Sequence, residues 1–164
     1  MKLYIKQKVF SLASRFNITD EEGNERYRVK GELLSFTRRL HIYDLRGEEV
    51  AQVHKELFTL MPRFVVERNG QVTAAIKKRL TLFKPEYDID GKGWHVEGDL
   101  LAHDYRIYAG SSVIATIHKV WMSWGDSFEL DLESSEDEVD LIAIILAIDV
   151  VLDIEQSSAD TGPI

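Results

Sequence analysis

The 164 residues of the chain are enough for one ordinary domain with a single apolar core. The sequence has no cysteine, which excludes disulfide bonds, thiolate metal sites and a cysteine nucleophile. The net charge of −8 is unevenly divided, because every Lys and Arg lies at or before Lys119 while 12 of the 28 acidic residues lie from Asp126 onward. This distribution argues against nucleic-acid binding by the whole chain. Basic residues interrupt the apolar N-terminal segment, so we expect no signal peptide and a cytoplasmic location, peripheral at the membrane if lipid is bound.

A period of two between apolar and polar residues dominates residues 9 to 133, which is typical of strands with one buried face. Gly and Asn separate the runs, and Asn69-Gly70 is the clearest hairpin turn. The short spacing leaves no room for helical crossovers, so the sheet is predicted to be antiparallel. One run is predicted to place Val72 and Leu82 on the same buried face. The candidate strands lie near residues 3–8, 10–19, 25–33, 38–45, 49–57, 63–68, 71–82, 86–90, 94–101, 103–109, 112–120 and 127–133.

A weak internal repeat relates residues 40–57 to residues 105–121. Within it, Ile42-Tyr43 aligns with Ile107-Tyr108, and a His-Lys pair follows in both copies. A barrel built of similar hairpins is expected to show such a repeat. Duplication and convergent hairpin chemistry both explain it.

The pattern changes at Ser135, where Ser135 to Glu138 has the form of a capping box. Thirteen of the sixteen residues from 139 to 154 are apolar, so the predicted helix, about 138–155, has no polar face. With Asp149 inside it, this run is shorter than the roughly 20 residues that cross a bilayer, and no transmembrane span is predicted. Residues 157–164 are small and polar and are predicted to form a flexible tail.

A helix that is apolar on every side must be enclosed by protein. Backbone about 10 Å from the helix axis forms a ring that about ten to twelve tilted strands fill. The number of candidate strands meets this requirement. The sequence therefore predicts a mainly β fold, an antiparallel closed barrel of about twelve strands around a central hydrophobic C-terminal α-helix, as a single domain over residues 1–156.

Several longer segments carry a family resemblance: MKLYIKQKVFS at the start, LHIYDLRGEEVA, FKPEYDIDGKGWHVEGD followed by AHDYRI, WMSWGDSFELD, and LAIDVVL in the helix. Together they resemble the LURP-one-related family of the Tubby C-terminal-like superfamily, especially its small bacterial members. The resemblance implies a twelve-stranded barrel around a C-terminal helix. Tubby domains bind phosphoinositide headgroups and the similar phospholipid scramblases act at membranes, but their ligand-binding positions do not match this sequence residue by residue, so no site is carried over.

Clustered basic residues form the best candidate for an anionic-ligand surface. They are Arg38, Arg39, Lys77, Lys78 and Arg79. Each basic residue near an anionic membrane contributes roughly 1 kcal/mol of attraction. The alternative interpretation is that these are ordinary solvated charges on the outer face of strands.

Trp121 and Trp124, with Met122 between them, form a candidate aromatic interface. They lie between two predicted strands, where exposure on a loop is expected. The alternative is that they pack across the end of the barrel.

Recognised catalytic and metal-binding patterns are missing from the sequence. The acidic stretch from Asp131 has Glu136 and Ile142 where a calcium loop of the EF-hand type needs Gly and Glu. The five histidines have no paired metal-ligand spacing, and there is no nucleophile elbow or phosphate loop. We therefore predict no catalytic residue, no metal and no cofactor.

These observations favour a non-enzymatic barrel domain that binds a protein partner or an anionic phospholipid headgroup. One alternative is a small-molecule carrier or an enzyme with a pocket at one barrel mouth. Another is a scramblase-like protein anchored in the membrane by its helix.

Overall fold

Twelve antiparallel strands and one helix make up the part of the chain that the computed structural model describes, which is residues 1–6, 15–32, 38–57, 63–79, 81–123 and 125–160. The predicted number of strands and the predicted fold class are confirmed. The elements are β1 Lys2–Lys6, β2 Arg15–Thr19, β3 Glu25–Glu32, β4 Arg39–Tyr43, β5 Glu49–Glu56, β6 Arg63–Arg68, β7 Gln71–Arg79, β8 Glu86–Asp90, β9 Trp94–Asp99, β10 Asp104–Ala109, β11 Ser112–Met122, β12 Gly125–Leu132 and α1 Glu138–Asp160.

The barrel closes because its first strand pairs with its last. Consecutive strands pair with each other all along the chain. In addition, β1 pairs with β12, with Leu3 opposite Leu130. The turn between β6 and β7 shows why the sequence folds into hairpins. Asn69 and Gly70 both have positive φ, 50° and 75°, which a two-residue hairpin with the natural strand twist requires.

The helix α1 lies inside the barrel and forms the centre of the core. Its residues from Leu141 to Ile148 are buried, and they pack against inward side chains such as Ile5, Ile42 and Ile107. A helix with no polar face has to be surrounded by apolar side chains, and the barrel provides them. Among the described residues, no helix combines the length and apolar character needed to cross a membrane.

The helix α1 begins at Glu138, as predicted, but its capping contacts and its C-terminal end differ from the prediction. At its start, the hydroxyl of Ser134 accepts a hydrogen bond of 3.1 Å from the Glu136 amide, and the Glu138 carboxylate lies 3.5 Å from Arg26. At its end, the helix continues to Asp160, so residues 157–160, expected in the tail, are helical. The hydroxyls of Ser157 and Ser158 donate to carbonyls one turn earlier, at 2.7 and 2.8 Å, which is the usual way a helix accommodates a serine side chain.

The prediction that Val72 and Leu82 face the core is wrong. Val72 is 53% exposed because the register between β6 and β7 shifts at Val66, which changes the phase of β7 between Val72 and Ala74. Leu82 is 92% exposed because β7 ends at Arg79. The chain bends over residues 82–84 before Pro85, which has no N–H for a sheet and restricts the residue before it. Leu80 lies outside the described residues.

The two copies of the internal repeat have the same irregularity. Residues 40–57 form β4 and β5 and residues 105–121 form β10 and most of β11. The register shifts between Ile42 and Tyr43 in the first hairpin and between Ile107 and Tyr108 in the second, which are the aligned pairs. The repeat therefore extends to a matching β-bulge, a feature compatible with both origins.

Candidate functional site at the distal end of the barrel

Because consecutive strands run in opposite directions, their connections lie alternately at the two ends of the barrel. Since α1 follows β12, it begins at the end that carries the turns at residues 20–24, 44–48, 69–70, 91–93 and 110–111, here called the proximal end. It ends where residues 81–85 and 100–103 connect their strands, here called the distal end. All five residues of the predicted anionic-ligand surface lie in the distal part of their strands or immediately before them.

Ion pairs at the proximal end hold the start of α1 against the barrel wall. The Asp140 carboxylate is nearly inaccessible and lies 2.6 Å from Lys92 Nζ and 3.1 Å from Arg68 Nη1. A negative charge in the first turn is also favoured by the helix dipole. These contacts join α1 to β6 and to the turn between β8 and β9, so this cluster has a structural explanation.

At the distal end, two predicted anion-binding residues are paired with acidic residues of α1. Arg38 Nη1 lies 3.4 Å from Asp153 Oδ2, and Lys78 Nζ lies 2.8 Å from Glu155 Oε1. All four side chains are about half exposed. Exposed pairs of this kind contribute roughly 0 to 1 kcal/mol, so an external anion can displace the carboxylate at low cost.

The remaining predicted basic residues have varied surroundings. Arg79 lies 2.6 Å from Asp88 and 3.4 Å from Glu86, whereas Lys77 is exposed and has no ion pair within the described residues. Arg39 is half-buried at the start of β4. Since β5 and β6 separate β4 from β7, the two basic groups are about 14 Å apart along the sheet at normal strand spacing. Arg38 and Lys78 nevertheless both contact the end of α1, at Asp153 and Glu155.

The predicted aromatic interface is described in part. Trp121 is 79% exposed near the distal end of β11, and Met122 beside it is half-buried. Trp124 lies outside the described residues. Exposure of Trp121 is compatible with an interface, whose existence stays a prediction.

Exposed apolar side chains that the sequence pattern did not reveal lie at the same end. Leu82 and Phe83 are 92% and 93% exposed on the connection between β7 and β8, and Leu101 is exposed on the connection between β9 and β10. Leu57, directly after β5, is exposed as well. The signal in the sequence was Pro85, which ends the alternating run before Leu82 and Phe83 can join the sheet.

An open groove lies between these connections and the end of α1. Its volume is about 340 Å³. One wall is apolar, formed by Leu82, Phe83, Leu101 and Leu152. Basic side chains and one acidic side chain form its polar edge, namely Lys78, Arg79, Lys84 and Glu155.

A buried polar pair lies deeper in the distal half of the barrel. His103 Nδ1 is 3.5 Å from Asp149 Oδ1, and the His103 ring stacks on Phe128 at 4.2 Å. Burial, and to a smaller extent the charge of Asp153, raise the pKa of Asp149 to about 7. Burial, followed by the charge of Lys119, lowers the pKa of His103. Below about pH 7 these two shifts favour a protonated Asp149 beside a neutral His103, so that the pair carries no buried charge.

No group of three or more His, Asp or Glu side chains in the described part of the chain is placed to hold a metal ion.

Comparison with known proteins identifies the family. The model of the LURP-one-related family matches residues 1–149. The chain belongs to this family. The uncharacterized protein YxjI of Bacillus subtilis (strain 168) is 32% identical over 152 residues, which cover 93% of this chain and 94% of YxjI. A bacterial relative at this level agrees with the branch that the sequence segments indicated.

The fold of this family member also resembles a solved structure. A protein of Arabidopsis thaliana, determined by X-ray crystallography, matches with a TM-score of 0.66 and 21% identity, covering 92% of this chain and 90% of that chain. At this identity the match supports the barrel with its enclosed helix. It adds no information on ligands.

Proposed function

We propose that this family member is a non-enzymatic, peripheral binding module that docks the distal end of its barrel on an anionic phospholipid surface. The observation that carries the proposal is the exposure of Leu82 and Phe83 beside Lys84 at the barrel end. An apolar tip next to basic side chains matches a lipid surface, where hydrocarbon lies directly below charged headgroups.

The size of the apolar contribution favours a stable interaction. Burying one Leu or Phe side chain fully is worth roughly 1.5 to 3 kcal/mol. Leu82 and Phe83 are almost completely exposed, so their transfer into the membrane interface yields several kcal/mol. Trp121 adds an aromatic ring of the type that is enriched at membrane interfaces.

Charge determines the orientation of docking. At the distal end, Lys77 and Lys84 are exposed and have no ion pair within the described residues. The proximal turns instead carry acidic side chains, among them Asp20, Glu21, Glu22, Asp44 and Glu48. An anionic surface attracts the distal end and repels the proximal one.

A flotation assay with vesicles tests the proposal. We expect the protein to float with vesicles of phosphatidylcholine containing phosphatidylserine, and much less with phosphatidylcholine alone. Replacing Leu82 and Phe83 together by Ser is expected to weaken binding at least tenfold, since even half of their transfer free energy exceeds 1.4 kcal/mol. The matched control replaces Leu45 and Val72 by Ser, because both are about half exposed at the proximal end.

A charge-reversal pair tests the electrostatic part. Changing Lys77 and Lys84 to Glu is expected to reduce binding to the anionic vesicles. The thermal stability should fall only slightly, because neither residue has an ion pair within the described residues, although a carboxylate at position 77 lies opposite Asp88. Equal losses for the proximal and distal Ser variants contradict docking by the distal end. Retention of full vesicle binding by the distal Ser variant contradicts the role of Leu82 and Phe83, and a wild-type protein that does not float with either kind of vesicle favours a protein partner.

A further inference from the structure

The groove at the distal end has the two surfaces that an amphiphilic anion needs. Its apolar wall joins Leu152, on the buried helix, to Leu82, Phe83 and Leu101 on the connections. Its basic edge contains Lys84, which has no ion pair within the described residues. A volume of about 340 Å³ is within the range of small-molecule sites, roughly 300 to 1,000 Å³.

Glu155 is the acidic side chain at the polar edge of the groove. Its carboxylate contacts Lys78 Nζ at 2.8 Å across the edge of the groove, and both side chains are about half exposed. An exposed pair of this kind is weak, so a carboxylate or phosphate that also buries a hydrocarbon chain competes with it successfully.

A buried hydroxyl beside this pair also lacks a partner. Tyr87 lies directly opposite Lys78 in the ladder of β7 and β8. Its hydroxyl is buried and has no hydrogen-bond partner among the described residues. Burial, and next the charge of Glu155, raise the pKa of Tyr87 to about 12, so the phenol stays neutral and remains a donor.

We infer that the groove binds one anionic amphiphile, a single hydrocarbon chain with a carboxylate or phosphate head, whose head replaces Glu155 at Lys78 and whose chain lies along Leu82, Phe83, Leu101 and Leu152. The inference rests on the proposed function in that the same connection meets the membrane. It goes further by assigning a site for one molecule. The anionic head can come from a bilayer lipid or from a free monomer such as a fatty acid.

Calorimetry with monomeric probes below their micelle concentration tests the site. Dodecanoate and dodecyl phosphate are expected to bind, dodecanol at least fivefold more weakly, and inorganic phosphate not measurably. Glu155→Gln is expected to raise the affinity for dodecanoate by up to about fivefold, which corresponds to removal of an exposed competing pair. Lys78→Gln is expected to lower it by a similar factor. Lys77→Gln is the matched control, because Lys77 is adjacent and exposed but does not line the groove.

The outcomes separate this site from docking in general. Equal binding of dodecanoate and dodecanol, equal effects of Lys78→Gln and Lys77→Gln, or an unchanged affinity in Glu155→Gln overturns the inference. Phosphatidylserine vesicles provide the second arm. If the protein floats with them but binds no monomeric probe, the proposed function stands and the single-molecule site does not. If the monomers bind and the vesicles do not, the head comes from a free amphiphile and the docking proposal fails instead.

Discussion

Replacing Asp149 by Asn is expected to stabilise the protein above neutral pH. Asp149 lies on α1 inside the barrel with only 12% of its side chain exposed, and burial raises its pKa from 3.8 to about 7. Below pH 3.8 the group is protonated in both the folded and the unfolded state. As the pH rises toward 7, only the unfolded state loses its proton, so stability falls throughout this window. An amide at this position keeps the shape and has no charge to bury.

The magnitude follows from the size of the shift. About three pH units at roughly 1.4 kcal/mol each give a loss of about 4 kcal/mol for the wild-type protein, complete above about pH 7. The lowered pKa of His103 acts in the opposite direction but is present in both proteins, so it largely cancels in their difference. The advantage of Asp149→Asn should therefore grow from near zero at about pH 4 to at most about 4 kcal/mol at about pH 8.

Urea unfolding followed by tryptophan fluorescence measures this difference at intervals between about pH 4 and about pH 8.5. The control is Glu133→Gln, since Glu133 is an exposed carboxyl outside the core. Its difference from the wild type should not depend on pH. A constant difference between Asp149→Asn and the wild type refutes the reasoning, because it means that Asp149 is ionised at no cost in the folded state. In that case a protonated His103 neutralises it.

Five other substitutions are compared by their effect on the free energy of unfolding, measured by the same urea titration. Asp140→Ala is expected to cost about 3 to 5 kcal/mol, because it leaves two basic side chains without their buried partner, and a loss below about 1 kcal/mol contradicts this. Gly98→Ala should cost well over 1 kcal/mol, because a methyl group there meets backbone atoms at 2.6 Å, whereas Gly110→Ala has open space and should cost only about 1. Tyr87→Phe is expected to be neutral or stabilising, while Tyr4→Phe loses a 2.9 Å hydrogen bond to a carboxylate and about 1 kcal/mol, so an equal loss in both argues against an unpartnered Tyr87 hydroxyl.

The sequence was sufficient to predict the barrel because two independent patterns agreed. Alternating runs with Gly and Asn turns give antiparallel hairpins, and the apolar run after Glu138 requires enclosure by about as many strands as the runs supply. The hairpins can be predicted from short stretches of sequence, and the need for a closed barrel follows from comparing the number of strands with the size of the helix. The exposed distal connection was not predicted, since the alternation that includes Val72 continues in the sequence through Leu82. Only the shift at Val66 and the end of β7 at Arg79 break it in the structure.

The basic residues illustrate a different limit. The sequence identifies Arg38 and Lys78 as clustered charges, but it does not show that Asp153 and Glu155 meet them, because each pair joins residues far apart in the chain. These two ion pairs form only because α1 extends to the distal end of the barrel and places Asp153 and Glu155 there. The small polar residues after Gln156 predict a flexible tail, yet the helix continues through Ser157 and Ser158, whose hydroxyls donate to carbonyls one turn earlier. His103 and Asp149 come together for the same tertiary reason.

The position of α1 has a consequence for how the protein is made. The element that fills the barrel is synthesised after all twelve strands, and the closing pair joins β1 to β12. On the ribosome, the strands emerge before the helix that will cover their inner apolar faces. Closure must therefore wait until β12 and α1 have left the exit tunnel, and until then the nascent hairpins expose surface that chaperones recognise.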